Sequence, residues 1–225
     1  MTVPPTAVLF DLDDTLCEHR RTLAERLAAA ADHADLALPF DADAVRAAFA
    51  DVPTAATAHE FYTYLFAAAA RRVGGDPSLA PRLATAFRVA SDPAAVRFRP
   101  GATDALAAVR DRDVAVGLVT NGGRTTQSAK LAALGIEDAF DVRVFATPDR
   151  GLKPSAYPFR RALATLDADP ARTLYVGNSL RADVTGANRE GLRSVWYPTA
   201  DERTPDPHPA PDHTLDTLAD LPALL

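Results

Sequence analysis

Cysteine, lysine and long apolar runs are the scarce features of this 225-residue sequence. A single cysteine, Cys17, excludes an internal disulfide and any multi-cysteine zinc site. The five histidines, His19, His33, His59, His208 and His213, fit no metal-ligand motif such as a His-Glu-x-x-His helix. The longest apolar run, Leu65–Ala70, is too short to span a bilayer and two arginines follow it at once. The opening Met-Thr-Val-Pro-Pro lacks the basic start and small-residue cleavage site of a signal peptide, so a soluble, cytoplasmic protein is expected. Positive charge is also in short supply. The net charge of −6 argues against a nucleic-acid or anionic-membrane surface. Only 2 of the 24 basic residues are lysines, which singles out a loop lysine such as Lys153. What remains is ordinary for a globular chain: 48% hydrophobic and 24% charged residues. A chain of this length folds as one large domain, or one domain with an insert, and buries about 70–75% of its unfolded surface.

Thr6–Asp11 is a short apolar run ending in an acid, which predicts a buried strand. Val114–Thr120, Val142–Phe145, Thr173–Gly177 and Arg193–Trp196 have the same form. Helical patterns alternate with them at Thr103–Arg110, Thr125–Leu134, Ala156–Leu166 and Ala182–Glu190. That alternation predicts an α/β fold, a Rossmann-like doubly wound parallel sheet with its strand C-termini on one ligand-binding edge. Residues 17–95 break the rhythm with Ala-rich helices near 21–37, 42–49, 56–73 and 77–90, and with no convincing strand. Leu23, Leu27, Ala30, Ala31 and Ala34 form an apolar stripe at helical spacing. The expected domains are therefore an α/β core, 1–16 with 96–225, and an inserted all-helical unit, 17–95. A proline-rich loop, 199–212, leads to a last short strand at 213–215 and a terminal helix.

Four places carry chemistry. The first strand ends in Asp11-Leu-Asp13-Asp14-Thr15, and strand alternation predicts that Asp11 and Asp13 point the same way. Two close carboxylates repel, and a hard cation such as Mg2+ would balance them. The second place is Thr120-Asn121-Gly122-Gly123, where a hydroxyl, an amide and glycine N–H groups before a helix suit a phosphate. The third is Lys153-Pro154, a compact positive charge before a helix. The fourth is Gly177-Asn178-Ser179 with Asp183, whose carboxylate could complete a metal site. All four fall at the ends of predicted parallel strands and together make a phosphoryl-transfer set.

In this order the residues resemble the haloacid dehalogenase superfamily, over the whole chain. The helical insert is similar to that family's cap, placed between the first and second motifs. The resemblance implies that Asp11 is the nucleophile that becomes an aspartyl-phosphate, and that Asp13 is the acid and base. It further implies that Thr120, Asn121, Gly122 and Thr15 hold the phosphoryl group and that Lys153 steadies it. Mg2+ would be held by the Asp11 carboxylate, the Asp13 carbonyl and Asp183, with Asn178 beside it. The chain departs from the family at Asn178, where an aspartate is frequent. An amide supplies no charge, so Asn178→Asp is expected to tighten Mg2+.

The expected activity is a Mg2+-dependent phosphatase acting on a small phosphorylated metabolite, as a monomer or homodimer with no nucleic-acid or membrane partner. The alternatives are a 2-haloacid dehalogenase, a phosphomutase, or a binding protein that keeps the fold without turnover. Asp13 and Thr15 weigh against the dehalogenase, which needs neither a metal nor that acid/base. Arg20, Arg21, His59, Tyr62 and Tyr64 are the cap residues expected to bear on substrate choice. Cys17 is given no chemical role.

Overall fold

A computed structural model describes residues 4–53 and 55–225. The elements run β1 (Ala7–Phe10), β2 (Cys17–His19), α1 (Leu23–Ala34), α2 (Ala42–Ala48), α3 (Ala58–Arg72) and α4 (Ala80–Ala90). They continue β3 (Val96–Phe98), α5 (Ala102–Arg110), β4 (Ala115–Asn121), α6 (Arg124–Leu134), β5 (Val142–Ala146) and α7 (Ala156–Leu166). The last are β6 (Thr173–Gly177), α8 (Thr185–Arg189), β7 (Arg193–Trp196) and β8 (His213–Thr214). The chain divides into two compact units, Met1–Glu18 with Val96–Leu225, and His19–Ala95.

The first unit is a six-stranded sheet in the order β5-β4-β1-β6-β7-β8, with every pair parallel. The central strands β1 and β6 are buried along their whole length, as a parallel sheet covered on both faces requires. In β1, Val8 and Phe10 join one core cluster with Leu106, Val109 and Leu131, while Leu9 joins another with Phe159, Ala162 and Ala187. The period of two thus feeds two cores from one strand. Continuing alternation at Asp11 would point its side chain back toward the Leu9 side, the side of α7.

The second unit contains α1–α4 around its own core of Leu27, Val45, Leu65, Phe66, Leu83 and Phe87. Within the stripe on α1, Leu27, Ala30 and Ala31 are buried. The helix starts later than its sequence pattern because Thr22 and Glu25 form a reciprocal cap, with the Glu25 N–H donating to Thr22 Oγ1 at 3.2 Å and the Thr22 N–H to Glu25 Oε2 at 2.7 Å. It stops early at Asp35, which adopts left-handed geometry with φ 50°.

Three features differ from the sequence expectation. β2 and β3 pair into a two-stranded ribbon where the chain leaves and re-enters the first unit. Three-residue strands are too short to show an alternating pattern. The expected helix at 182–190 begins instead as a π-turn, Leu180–Val184, before α8. The terminal segment Leu218–Leu224 is a 3-10 helix containing Pro222, which cannot donate to a continuous α-helix.

Candidate active site

Four parallel strands, β1, β4, β5 and β6, deliver the polar residues of one sheet edge. The Asp11 N–H still donates to the Val176 carbonyl at 2.9 Å, so its backbone keeps the sheet register. Past it the chain curls. Leu16 and Cys17 donate back to the Leu12 carbonyl, each at 3.0 Å, and Asp14 takes a positive φ of 57°. Strand geometry therefore ends before Asp13, so alternation along β1 does not set the direction of its side chain. The Asp11 and Asp13 side chains go to different partners.

Asp11 meets Lys153. The Lys153 ammonium donates to Asp11 Oδ1 at 2.6 Å, to Asp183 Oδ1 at 2.7 Å and to the Tyr175 hydroxyl at 2.9 Å. Asp11, Lys153 and Asp183 are all buried. Burial pushes the Asp11 carboxyl up to about 7, against the pull of Lys153 and with the Asp183 charge adding to the rise. For Lys153 the loss of hydration acts downward, but the two aspartates prevail and hold its ammonium more firmly than usual. Burial and the same carboxylates push the Tyr175 hydroxyl well above its ordinary range, so it stays a neutral donor. That hydroxyl reaches the Val119 carbonyl at 3.0 Å and Asp183 Oδ1 at 3.1 Å. The other Asp183 oxygen accepts the Ser179 N–H at 3.0 Å, so Asp183 spends both oxygens on protein donors. Gly177 is required beneath it, because a Cβ there would lie 2.4 Å from the Asp183 carboxyl carbon.

Thr15 is fully buried and its hydroxyl lies 3.2 Å from Asp11 Oδ2 and 3.3 Å from Asn178 Oδ1. Asn178 donates in turn to Glu202 Oε2 at 3.0 Å. The amide at 178 thus faces a carboxylate from the loop after β7, which sequence reasoning did not connect to it.

Asn121 accepts the Lys153 N–H at 2.8 Å and donates to the Lys153 carbonyl at 3.2 Å, a two-way clasp on the lysine's own backbone. Gly122 gives its N–H to the Ala146 carbonyl at 2.9 Å. With φ at 146°, a Cβ at Gly122 would lie 3.0 Å from the Gln127 side chain. Its role in this geometry is to make room for Gln127. The buried Thr120 hydroxyl accepts from Gln127 Nε2 at 2.6 Å.

Asp13 is held on the other side of this loop. Lys130 Nζ lies 2.5 Å from its Oδ1 and Gln127 Nε2 lies 2.8 Å from its Oδ2. Neither α6 residue was legible as a site residue, although Lys130 is the second of only two lysines in the chain. Lysine scarcity was the signal available. Arg99 was also missed. It stacks over Tyr197 at 3.9 Å and donates to the Asp14, Tyr197 and Pro198 carbonyls, tying the Asp11–Thr15 loop to the loop after β7.

The cap-residue expectations separate within the helical unit. Tyr62 is an aromatic packing residue, with its ring 5.9 Å from Phe66 and 5.1 Å from Phe87. Tyr64 donates to Glu60 on the next turn back. The His59 carbonyl accepts the Thr63 hydroxyl, and the Arg20 N–H donates to the Ala95 carbonyl. Arg21 lines a cavity of about 270 Å3 with His19, Arg26, Ser91 and Asp92. The Cys17 thiol is buried and pushed above its ordinary range by that burial.

Among the described residues no set of three or more His, Cys, Asp or Glu side chains is gathered closely enough to hold a metal ion. The groups around Asp11 that could ligate a metal are nonetheless all oxygens: the Thr15 hydroxyl beside it, the Asn178 amide oxygen bonded to that hydroxyl, and the buried Asp183 carboxylate that shares Lys153 with it. That donor chemistry fits a hard divalent cation and not a soft one. No described helix is long and apolar enough to cross a membrane.

A model of haloacid dehalogenase-like hydrolases matches residues 5–191. The chain is similar to the ribulose-1,5-bisphosphate 5-phosphatase of Halopiger xanaduensis, with 31% identity over 98% of this chain and 99% of that protein. It is 33% identical to the phosphoserine phosphatase of Thermus thermophilus over 74% of this chain and 66% of that one. Among solved structures, the hydrolase YfnB from Bacillus subtilis, bound to magnesium, matches with a TM-score of 0.74 and 22% identity over 97% of each chain. CbbY from Rhodobacter sphaeroides, in complex with xylulose-1,5-bisphosphate, matches with a TM-score of 0.73 and 22% identity over 96% of each chain.

Proposed function

The chain belongs to the haloacid dehalogenase superfamily and stands with its phosphatases as a phosphoric monoester hydrolase, and from that premise we propose a mechanism through an aspartyl-phosphate on Asp11. The observation that carries this reading is the Lys153 ammonium, buried at the sheet edge and in contact with both Asp11 and Asp183. A lysine so placed neutralises the nucleophile's surroundings and can meet an incoming phosphoryl oxygen as a point charge.

In the first step an Asp11 carboxylate oxygen attacks phosphorus as the bond to the leaving oxygen breaks. Asp13 gives that oxygen its proton. In the second step Asp13 takes a proton from water as the water oxygen attacks phosphorus. Asp11 is released and inorganic phosphate leaves. Thr120 and Thr15 supply hydroxyl donors near the phosphoryl group. Asn121 acts chiefly through its clasp on Lys153.

Mg2+ is the proposed cofactor. Asp11, the Asp13 carbonyl and Asp183 would hold it, with Asn178 reaching it through water. When bound it would offset negative charge shared by carboxylate and phosphoryl oxygens. The sheet unit is the proposed catalytic core and the helical unit the proposed cap, which excludes water and reads the leaving group. Sugar phosphates head the substrate candidates, because a relative spanning nearly the whole of both chains is a sugar-bisphosphate phosphatase.

The test is hydrolysis of p-nitrophenyl phosphate and of a panel of sugar phosphates, with Mg2+ and with EDTA. Mg2+-dependent phosphate release that vanishes in Asp11→Asn supports the reading. Equal turnover in Asp11→Asn contradicts it.

A further inference from the structure

Gln127 and Lys130 lie three residues apart on α6, so they share one helix face. Both are buried, and both reach the carboxyl of Asp13, one at each oxygen. Gln127 also donates to the buried Thr120 hydroxyl at 2.6 Å. A buried lysine on a helix is uncommon unless paired, and Lys130 pairs with Asp13, outside its own helix. The φ of Gly122 leaves the space that the Gln127 side chain fills. The loop, the glycine and the helix face are therefore mutually fitted around one carboxyl group.

We propose that Gln127 and Lys130 are positioning residues for proton transfer, forming a mount on which Asp13 is aimed at the leaving oxygen. This rests on the reading of Asp13 as the acid and base. Both carboxyl oxygens of Asp13 meet donors from one face of α6, Lys130 at Oδ1 and Gln127 at Oδ2. The carboxyl stays about one-third exposed, so it is held in direction and still open to a substrate. Donors at both oxygens restrict its rotamer. During turnover one Asp13 oxygen engages the leaving group while the other keeps a helix donor, so orientation survives the transfer. The Gln127 contact to Thr120 makes the same helix face register the acid against a phosphate-loop hydroxyl.

A positioning role predicts a leaving-group signature. A p-nitrophenolate leaves with little help, whereas an alkoxide needs a proton as its bond breaks. Lys130→Met should therefore lower kcat on a sugar phosphate by about tenfold more than on p-nitrophenyl phosphate, with KM little changed. Lys130→Arg should restore much of the loss. Gln127→Met, which keeps the side-chain volume, should show the same bias to a smaller degree, and it serves as the readout if Lys130→Met does not fold. Asp13→Asn should show the largest bias, and adding Lys130→Met to it should cost little more. Equal losses on both substrates in Lys130→Met and Gln127→Met, alongside a strong bias in Asp13→Asn, would overturn the mount. The absence of bias in Asp13→Asn would instead overturn the acid/base reading beneath it.

Discussion

Lys153 and Lys130, the only two lysines in the chain, each hold an aspartate of the first motif, in unlike surroundings. Lys153 sits at the sheet edge between two carboxylates, and all three groups are nearly closed to solvent. Lys130 sits on a helix, and its partner Asp13 has 36% of its side chain exposed. The first arrangement is a charge cluster whose members cannot be removed singly without leaving a bare charge. The second is a pair that water can partly replace. Burial, and not the identity of the residues, separates a group that makes the site possible from one that aims it.

The largest effect expected from this contrast is that of Lys153→Ala. It leaves Asp11 and Asp183 facing each other without a cation, which costs about 3–5 kcal/mol of folding stability and lowers kcat/KM by at least tenfold. Denaturant unfolding and steady-state kinetics measure both. Lys130→Met is expected to cost about 1 kcal/mol or less in the same unfolding experiment. Similar stability losses for the two substitutions would break the comparison.

Asn178 sharpens it further. An isolated Asn178→Asp change adds charge for Mg2+, but it also places a carboxylate where the amide now donates to Glu202 at 3.0 Å. The gain in metal affinity should be small in Asn178→Asp and reach about tenfold only in Asn178→Asp with Glu202→Gln. Calorimetric Mg2+ titration of the three proteins reads this directly. The sequence alone pointed to a gain from the single change; the Glu202 contact is what alters that expectation.

This residue shows what was legible and what was not. Strand ends could be read from apolar runs stopping at polar residues, because a buried parallel strand imposes that composition on its own segment. Asp11, Thr120, Lys153 and Asp183 stand at or just past such ends. Glu202, Lys130, Gln127 and Arg99 carry no local mark, since each gains its meaning from a partner more than twenty residues away or across a loop. Tyr62 illustrates a related point: an aromatic in a helix reads the same whether it faces a ligand or packs on Phe66 and Phe87, as its ring does. Asp13 lies past the last residue of β1, so alternation is no guide to its direction.

A smaller effect should appear in the stability of the metal-free protein. The Asp11 carboxyl is raised to about 7, so the folded state holds that proton more tightly than the unfolded state does. The stabilisation is present below the ordinary carboxylate range and is lost as pH rises through 7. In EDTA the melting temperature should fall by a few °C, on the order of the shift one such group gives, between pH 5 and 8. Asp11→Asn should flatten that slope. The smallest effect expected is for Tyr64→Phe, which removes one contact to Glu60 within a helix and should change stability by less than about 0.5 kcal/mol.

The central claim is that Asp11 carries the phosphoryl group. Acid-quenching the enzyme during turnover of a sugar phosphate, reducing it with borohydride and mapping the peptides tests this most directly. An aspartyl-phosphate at Asp11 is reduced to homoserine, so the account predicts that change at position 11 and nowhere else, dependent on substrate. Turnover with an unaltered Asp11 peptide, or reduction at another aspartate, would contradict it.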